Sequence, residues 1–334
     1  MTYREERTDA NSYKSAYLDG LNSLIQKMQE DARQRQDGYI RDIFTRQEDY
    51  RRDLRAMFGW PLVGHTSAEL PEVSCQKLSK EDGFTLYRMQ FQILDGVTMT
   101  GLFFKADGDD KKPLIIAQHG GQGTPELICG VYEKTDNYHH MTQQVREQNM
   151  HLFAPQLLLW AESYQIPFDR KEMDARLKRL GSSITAVEVY GITRILDWFE
   201  QQDYVKNFGM VGLSYGGFYT LVTAAVDPRI QSAVSCSFFA TREAYPWCDW
   251  TWQNCAERFD DAEIACLVYP RKLYLAMGTE DPMFDWKYSE ASFRRIQELC
   301  ADVGSDWVTF EAFSGKHEYL PDRTAVAQML DYLK

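Results

Sequence analysis

The sequence predicts an α/β fold with a mostly parallel central sheet, an antiparallel start, flanking helices and an N-terminal helical extension. Three observations predict it. From about Val73 onward, β-rich runs alternate with helix-period segments, the rhythm of strands joined by crossover helices. Pro113-Leu114-Ile115-Ile116-Ala117 is apolar without alternation, as in a strand buried on both faces. Two earlier runs, 84–94 and 97–106, meet at Asp95-Gly96, a hairpin signal, so the sheet opens antiparallel.

The elements follow in order. Residues 1–70 make the extension and 71–334 the main domain. In the extension, Tyr17, Leu18, Leu21, Leu24, Ile25 and Met28 fall at i, i+3, i+4, i+7 steps and give a helix one apolar face. Ile40, Ile43 and Phe44 continue the pattern. Leu54, Met57 and Phe58 close a further helix, with Gly59 as its C′ residue and Pro61 beyond it. This region reads as an appendage packed on the main domain, with a homo-oligomer interface as an alternative that does not exclude it. In the main domain the strand 113–117 ends in His119-Gly120-Gly121-Gln122-Gly123. A helix over 142–148, a strand over 151–158 and a helix over 183–201 follow, the last with Ile184, Val187, Ile195 and Trp198 as its stripe. A strand over 208–211 runs into Gly212-Leu213-Ser214-Tyr215-Gly216-Gly217, and helical sequence resumes over 218–226. Strands over 230–237, 272–277 and 308–313, a helix over 285–300 and a last helix over 323–333 complete the chain.

Composition excludes several classes. The chain has 334 residues, 44% apolar and 26% charged, enough for an ordinary core. Its charge is 37 minus 49, or -12, which argues against a nucleic-acid partner, since phosphate binding wants a basic face. No run approaches the ~20 apolar residues of a membrane span. The first residues have no apolar core of a signal peptide. Seven scattered cysteines without C-x-x-C spacing read as reduced thiols of a cytoplasmic protein.

The chemistry concentrates in four places. Gly212-x-Ser214-x-Gly216 lies between a strand and a helix, where a serine on a tight turn projects its hydroxyl above the sheet. Small residues at 212, 216 and 217 leave room for the neighbouring strand and helix. The hydroxyl needs a base, and His317 is the one histidine after Ser214; the others, at 65, 119, 139, 140 and 151, precede it. The acid that orients it is Asp281, in Gly278-Thr279-Glu280-Asp281-Pro282, with adjacent Glu280 as the alternative. Oxyanion donors are expected from the N–H groups of Tyr215 and Gly121. His119 reads as a loop-stabilising hydrogen bonder, with a substrate contact as its alternative. His139-His140 lacks the carboxylate spacing of a metal site. Asp260-Asp261 reads as an exposed helix start.

These four motifs, in this order, resemble the α/β-hydrolase superfamily over roughly residues 75–334. The Leu267-Val268-Tyr269-Pro270-Arg271 lead-in and the helical region ending in Phe58-Gly59-Trp60-Pro61 are similar to the dienelactone-hydrolase and acetyl-xylan-esterase-like branch. Position 214 is Ser where dienelactone hydrolases carry Cys. Pro155-Gln156-Leu157-Leu158-Leu159-Trp160 stands where the carbohydrate-acetyl esterases have an Arg-Gly-Gln stretch. The Ser-Tyr-Gly-Gly elbow also resembles prolyl-oligopeptidase-type catalytic domains. The resemblance implies the α/β-hydrolase fold and a serine esterase that cleaves a carboxylic ester of a small substrate through an acyl-enzyme on Ser214. His317 acts as base and Asp281 as its support, with no cofactor and no metal. A peptidase or amidase with the same triad, and a non-catalytic binding protein on the same fold, are the rival readings. The architecture also puts Tyr245–Trp252 near the pocket mouth, so Trp247, Trp250 and Trp252, together with Trp160, are candidate substrate walls, with plain packing as the alternative.

Overall fold

A computed structural model describes residues 2–60, 62, 65–132, 136–159 and 168–333. Among them, nine strands form one sheet: β1 (Val73–Glu81), β2 (Phe84–Leu94), β3 (Val97–Ala106), β4 (Lys112–Gln118), β5 (His151–Pro155), β6 (Val205–Leu213), β7 (Ile230–Cys236), β8 (Lys272–Gly278) and β9 (Val308–Phe313). Their order is β1-β2-β3-β5-β4-β6-β7-β8-β9. The first three strands are antiparallel, with Leu94 facing Val97 across the Asp95-Gly96 turn, and β5 through β9 run parallel through β4. The chain leaves β4 toward β5 on one side and returns to β6 on the other. The ends of β4 and β6 therefore flank a topological switch point, where open α/β sheets bind ligands.

The helices are α1 (Arg7–Tyr39), α2 (Gln47–Phe58), α3 (Pro125–Ile128), α4 (Met141–Arg146), α5 (Arg170–Lys178), α6 (Ile184–Glu200), α7 (Tyr215–Val226), α8 (Asp261–Cys266), α9 (Trp286–Leu299) and α10 (Thr324–Leu333). They cover both faces. Leu114 and Ile116 of β4 join the core built with α2, α6 and α7, while Ile115 and Ala117 join the one built with α4 and α10. The unbroken apolar run of β4 is the consequence of having two dry faces.

Four elements differ from expectation. The strand expected over 151–158 stops at Pro155, because the backbone turns there to meet the loop after β4: the Leu157 N–H donates to the His119 ring at 3.0 Å. α7 starts at Tyr215 rather than 218. Gly216 and Gly217 are helical, and a Cβ on them would lie 2.3 Å from the Gln118 carbonyl and 2.7 Å from the Cys236 carbonyl. Close packing rather than chain flexibility is what calls for glycine there. Asp260 does cap α8, but Asp261 is buried and paired with Arg242 at 2.6 Å rather than exposed. Finally, the apolar stripe of α1 does not pack on the domain. Tyr17, Leu18, Leu24 and Met28 are 75%, 55%, 51% and 57% exposed. Only the foot of the helix docks, through buried Ala32 and Gln36 and the ion pairs Arg33–Glu243, Arg35–Glu257 and Asp37–Arg295. α2, by contrast, sinks Tyr50, Leu54 and Phe58 into the main core. Pro61, expected just beyond it, lies outside the described residues.

Candidate active site

β6 delivers Ser214 to the sheet edge in a conformation few side chains adopt, φ 58° and ψ -121°. Such backbone strain costs on the order of 1–3 kcal/mol and persists only where the surroundings over-determine it. Here they do. The Ser214 N–H donates to the Cys236 carbonyl at 2.8 Å, and its carbonyl accepts from the Phe218 N–H at 2.9 Å. A Cβ on Gly212 would come within 2.2 Å of the Gly216 carbonyl oxygen. The turn is thus held between the end of β7 and the start of α7.

β8 and β9 bring the next two residues together. His317 Nδ1 lies 2.8 Å from Asp281 Oδ2. The other oxygen of Asp281 accepts from the N–H groups of Met283 at 2.7 Å and Phe284 at 3.1 Å. Three donors fix that carboxylate, whose side chain is fully buried. Glu280 is exposed, and its carboxylate accepts from the Ser314 hydroxyl at 3.5 Å. With Nδ1–H donated to Asp281, the neutral imidazole carries its lone pair on Nε2. The backbones interlock as well: Glu280 N–H donates to the Gly315 carbonyl at 2.8 Å, and a Cβ on Gly278 would meet the Lys316 carbonyl at 2.2 Å.

Ser214 and His317 line one cavity of about 640 Å³ together with Gly120, Gly121, Tyr215 and Trp247. Tyr215 opens α7, so its N–H belongs to the first turn, whose donors point out of the helix end. The Gly120 N–H is engaged by the Tyr138 hydroxyl at 2.7 Å, which leaves the next amide, that of Gly121, as the loop's candidate donor. His119 does not line the cavity. Its ring is fully buried, accepts from Leu157 N–H on Nε2, and holds the Gly120 carbonyl at 2.9 Å with Nδ1. Burial pushes it down to about 4, so it stays neutral and ties the loop after β4 to the end of β5.

The tryptophans divide. Trp247 lines the cavity and stacks on Trp250 at 4.4 Å and on Tyr215 at 6.0 Å. Trp250 is fully buried behind it, and Trp252 packs on Phe58 at 4.5 Å, under the N-terminal extension. The expected wall of three is a wall of one with two core residues behind it, because a turn at Cys248–Trp250 sends successive rings to different faces. Trp160 lies outside the described residues.

Sequence reasoning missed a buried charge cluster under the elbow. Arg170 of α5 is wholly buried. It donates to Asp249 at 2.7 Å, Glu188 at 3.1 Å, the Tyr219 hydroxyl at 2.8 Å and the Leu158 carbonyl at 2.5 Å. Burial alone would lower its pKa, but Glu188, Tyr219 and Asp249 outweigh that and hold it well above its ordinary value. Asp249 in turn accepts from the Tyr215 hydroxyl at 2.9 Å. The cluster therefore anchors the side chain of the residue next to Ser214. An acid set among tryptophans was the available signal, since a carboxylate in apolar company needs a partner.

No protein-family model matches the sequence, and no curated protein does. Solved structures do match. A Bacteroides fragilis protein assigned as an acetyl xylan esterase superposes with a TM-score of 0.67 at 18% identity, over 85% of this chain and 80% of that one. The glucuronoyl esterase of Solibacter usitatus gives 0.58 at 16%, over 85% and 91%. Acetyl xylan esterase 1 of a Thermoanaerobacterium species gives 0.56 at 13%, over 87% and 94%. The chain has the α/β-hydrolase fold.

Proposed function

We propose that the protein is a serine hydrolase that cleaves a carboxylic ester of a small substrate. The observation that carries this reading is the 2.8 Å His317–Asp281 hydrogen bond on the wall of a cavity that also holds Ser214 on a strained elbow. His317 Nε2 takes the hydroxyl proton as Ser214 Oγ attacks the acyl carbon. The N–H groups of Tyr215 and Gly121 bind the oxyanion. The protonated imidazole then gives its proton to the leaving alcohol, and water, activated by the same ring, frees the acid and restores Ser214. Asp281 keeps Nδ1 protonated and stabilises the imidazolium. No step needs a cofactor.

The fold neighbours support an ester over an amide, since each is named for ester cleavage. Two of those names specify acetyl xylan and one a glucuronoyl ester, so carbohydrate esters are the first substrates to test. A panel of acetyl, butyryl and uronate methyl esters beside matched anilides decides the matter. Ester turnover that vanishes in Ser214→Ala supports the reading, and anilide cleavage without ester cleavage overturns it.

We also propose that the exposed stripe Tyr17, Leu18, Leu21, Leu24, Ile25 and Met28 on α1 packs against a second copy of the chain. A protruding helix with such a face gains little from burial while alone. Sedimentation of the full chain reads this directly, and a monomer at all concentrations contradicts it. A cytoplasmic location is likewise proposed, on the scattered, unpaired cysteines.

A further inference from the structure

The segment 137–139, between α3 and α4, contacts both loops that carry the proposed chemistry. On one side the Tyr138 hydroxyl accepts the Gly120 N–H at 2.7 Å, next to the candidate oxyanion donor Gly121. On the other side the Asn137 carbonyl accepts the Tyr319 N–H at 2.8 Å. His139 Nε2 lies 2.7 Å from Glu318 Oε2, and Glu318 directly follows His317. The second oxygen of Glu318 accepts the Lys316 N–H at 2.8 Å, so this one carboxylate brackets His317 from both neighbours. Burial alone would raise the Glu318 carboxyl; the hydrogen bonds from His139 and Lys316 outweigh it and hold the pKa below the usual value. The backbone of the segment is itself unusual. His139 and His140 both lie in the left-handed region, at φ 43° and 57°. Two successive non-glycine residues there are costly, and such strain marks segments whose shape is set by their surroundings.

We propose that His139 and Glu318 form a positioning pair, which fixes the His317 loop at a set distance from the oxyanion loop. This rests on the serine-hydrolase reading above. Asp281 fixes one end of the imidazole, but a hydrogen bond to Nδ1 alone leaves the ring free to swing with its loop. The opposite anchor is the bracket at Glu318, tied through His139 and Tyr138 to Gly120. The ring then faces Ser214 and the oxyanion site as one rigid unit. Neither residue touches the reacting atoms in this role. The sequence offered His139-His140 only as a failed metal pair; the structure gives His139 a partner 179 positions away.

The test uses His139→Asn, Glu318→Ala, the double variant, and Glu318→Gln. Asparagine tolerates the left-handed backbone but is too short to reach Glu318, so it removes the contact without new strain. Glutamine at 318 still accepts the Lys316 N–H, and a His139 tautomer with its lone pair on Nε2 accepts from the glutamine amide. Each is assayed for kcat and KM on an ester substrate and for the rate of fluorophosphonate labelling. Exposed His140→Asn is the control. We expect His139→Asn and Glu318→Ala each to lower kcat and labelling rate about tenfold or more with KM within twofold. The double variant should be no worse than either single, since both cut one linkage. Glu318→Gln and His140→Asn should stay within about threefold of wild type. Folded variants that label at the wild-type rate, or single losses that multiply in the double variant, overturn the pair while leaving the hydrolase reading intact. Absence of label on Ser214 in the wild type overturns both.

Discussion

Replacing Arg170 by Met removes the one cation that the described residues place within the buried cluster and leaves its hydrophobic volume nearly filled. The consequence is large because of what remains. Glu188 and Asp249, whose side chains are 4% and 1% exposed, would both keep a negative charge away from water. Breaking one buried ion pair by deleting a partner costs about 3–5 kcal/mol, and this guanidinium serves two carboxylates and a backbone carbonyl besides. Arg170→Met should therefore lose at least about 3 kcal/mol of unfolding free energy in a urea titration followed by tryptophan fluorescence. Adding Glu188→Gln and Asp249→Asn should recover a substantial part, because the stranded charges, rather than the lost contacts, dominate the cost. A loss below about 1 kcal/mol, or no recovery on neutralising the carboxylates, refutes the argument that the cluster is held together by its arginine.

Three further outcomes follow from the same geometry. Asp281→Asn should lower kcat by roughly three to four orders of magnitude, since the amide favours the wrong imidazole tautomer, while exposed Glu280→Gln changes little; steady-state kinetics on both variants checks it. Burial depresses His119 to about 4 from its usual 6.5, so the unfolded chain binds the extra proton first, and stability falls as pH drops from 6.5 toward 4. That window is worth on the order of 3 kcal/mol, and comparing urea titrations of wild type and His119→Gln across it should show the wild type with the steeper acid loss. Trp247→Ala should shift the acetyl-to-octanoyl preference by tens-fold, from ~1–3 kcal/mol of lost pocket contact, whereas Trp250→Ala costs about 3–5 kcal/mol of stability; chain-length profiles and melting separate the two.

The features legible in the sequence were local. Gly212-x-Ser214-x-Gly216 announces its own turn, and a continuous apolar run announces a strand with two covered faces. Order along the chain then selected His317 and Asp281 from the remaining titratable groups, and the structure brings those two within a hydrogen bond. What stayed hidden depends on pairings between distant residues. Arg170 meets Asp249 79 positions away, and His139 meets Glu318 across 179. Spacing also cannot say which of three close tryptophans faces a cavity, because a single short turn redirects each ring. The stripe of α1 is the converse case: periodicity showed an apolar face correctly but not what, if anything, covers it. Glycines 216 and 217 read as loop by propensity, yet they are helix, chosen for the carbonyls that press against them.

The central claim is that Ser214 is the nucleophile of an acyl-transfer site. It is tested most directly by treating the folded protein with a fluorophosphonate and reading intact mass and peptide maps. The account predicts a single adduct, on Ser214, that forms in step with loss of ester hydrolysis and is absent from Ser214→Ala. An adduct on another residue, or ester turnover that persists in Ser214→Ala, contradicts it.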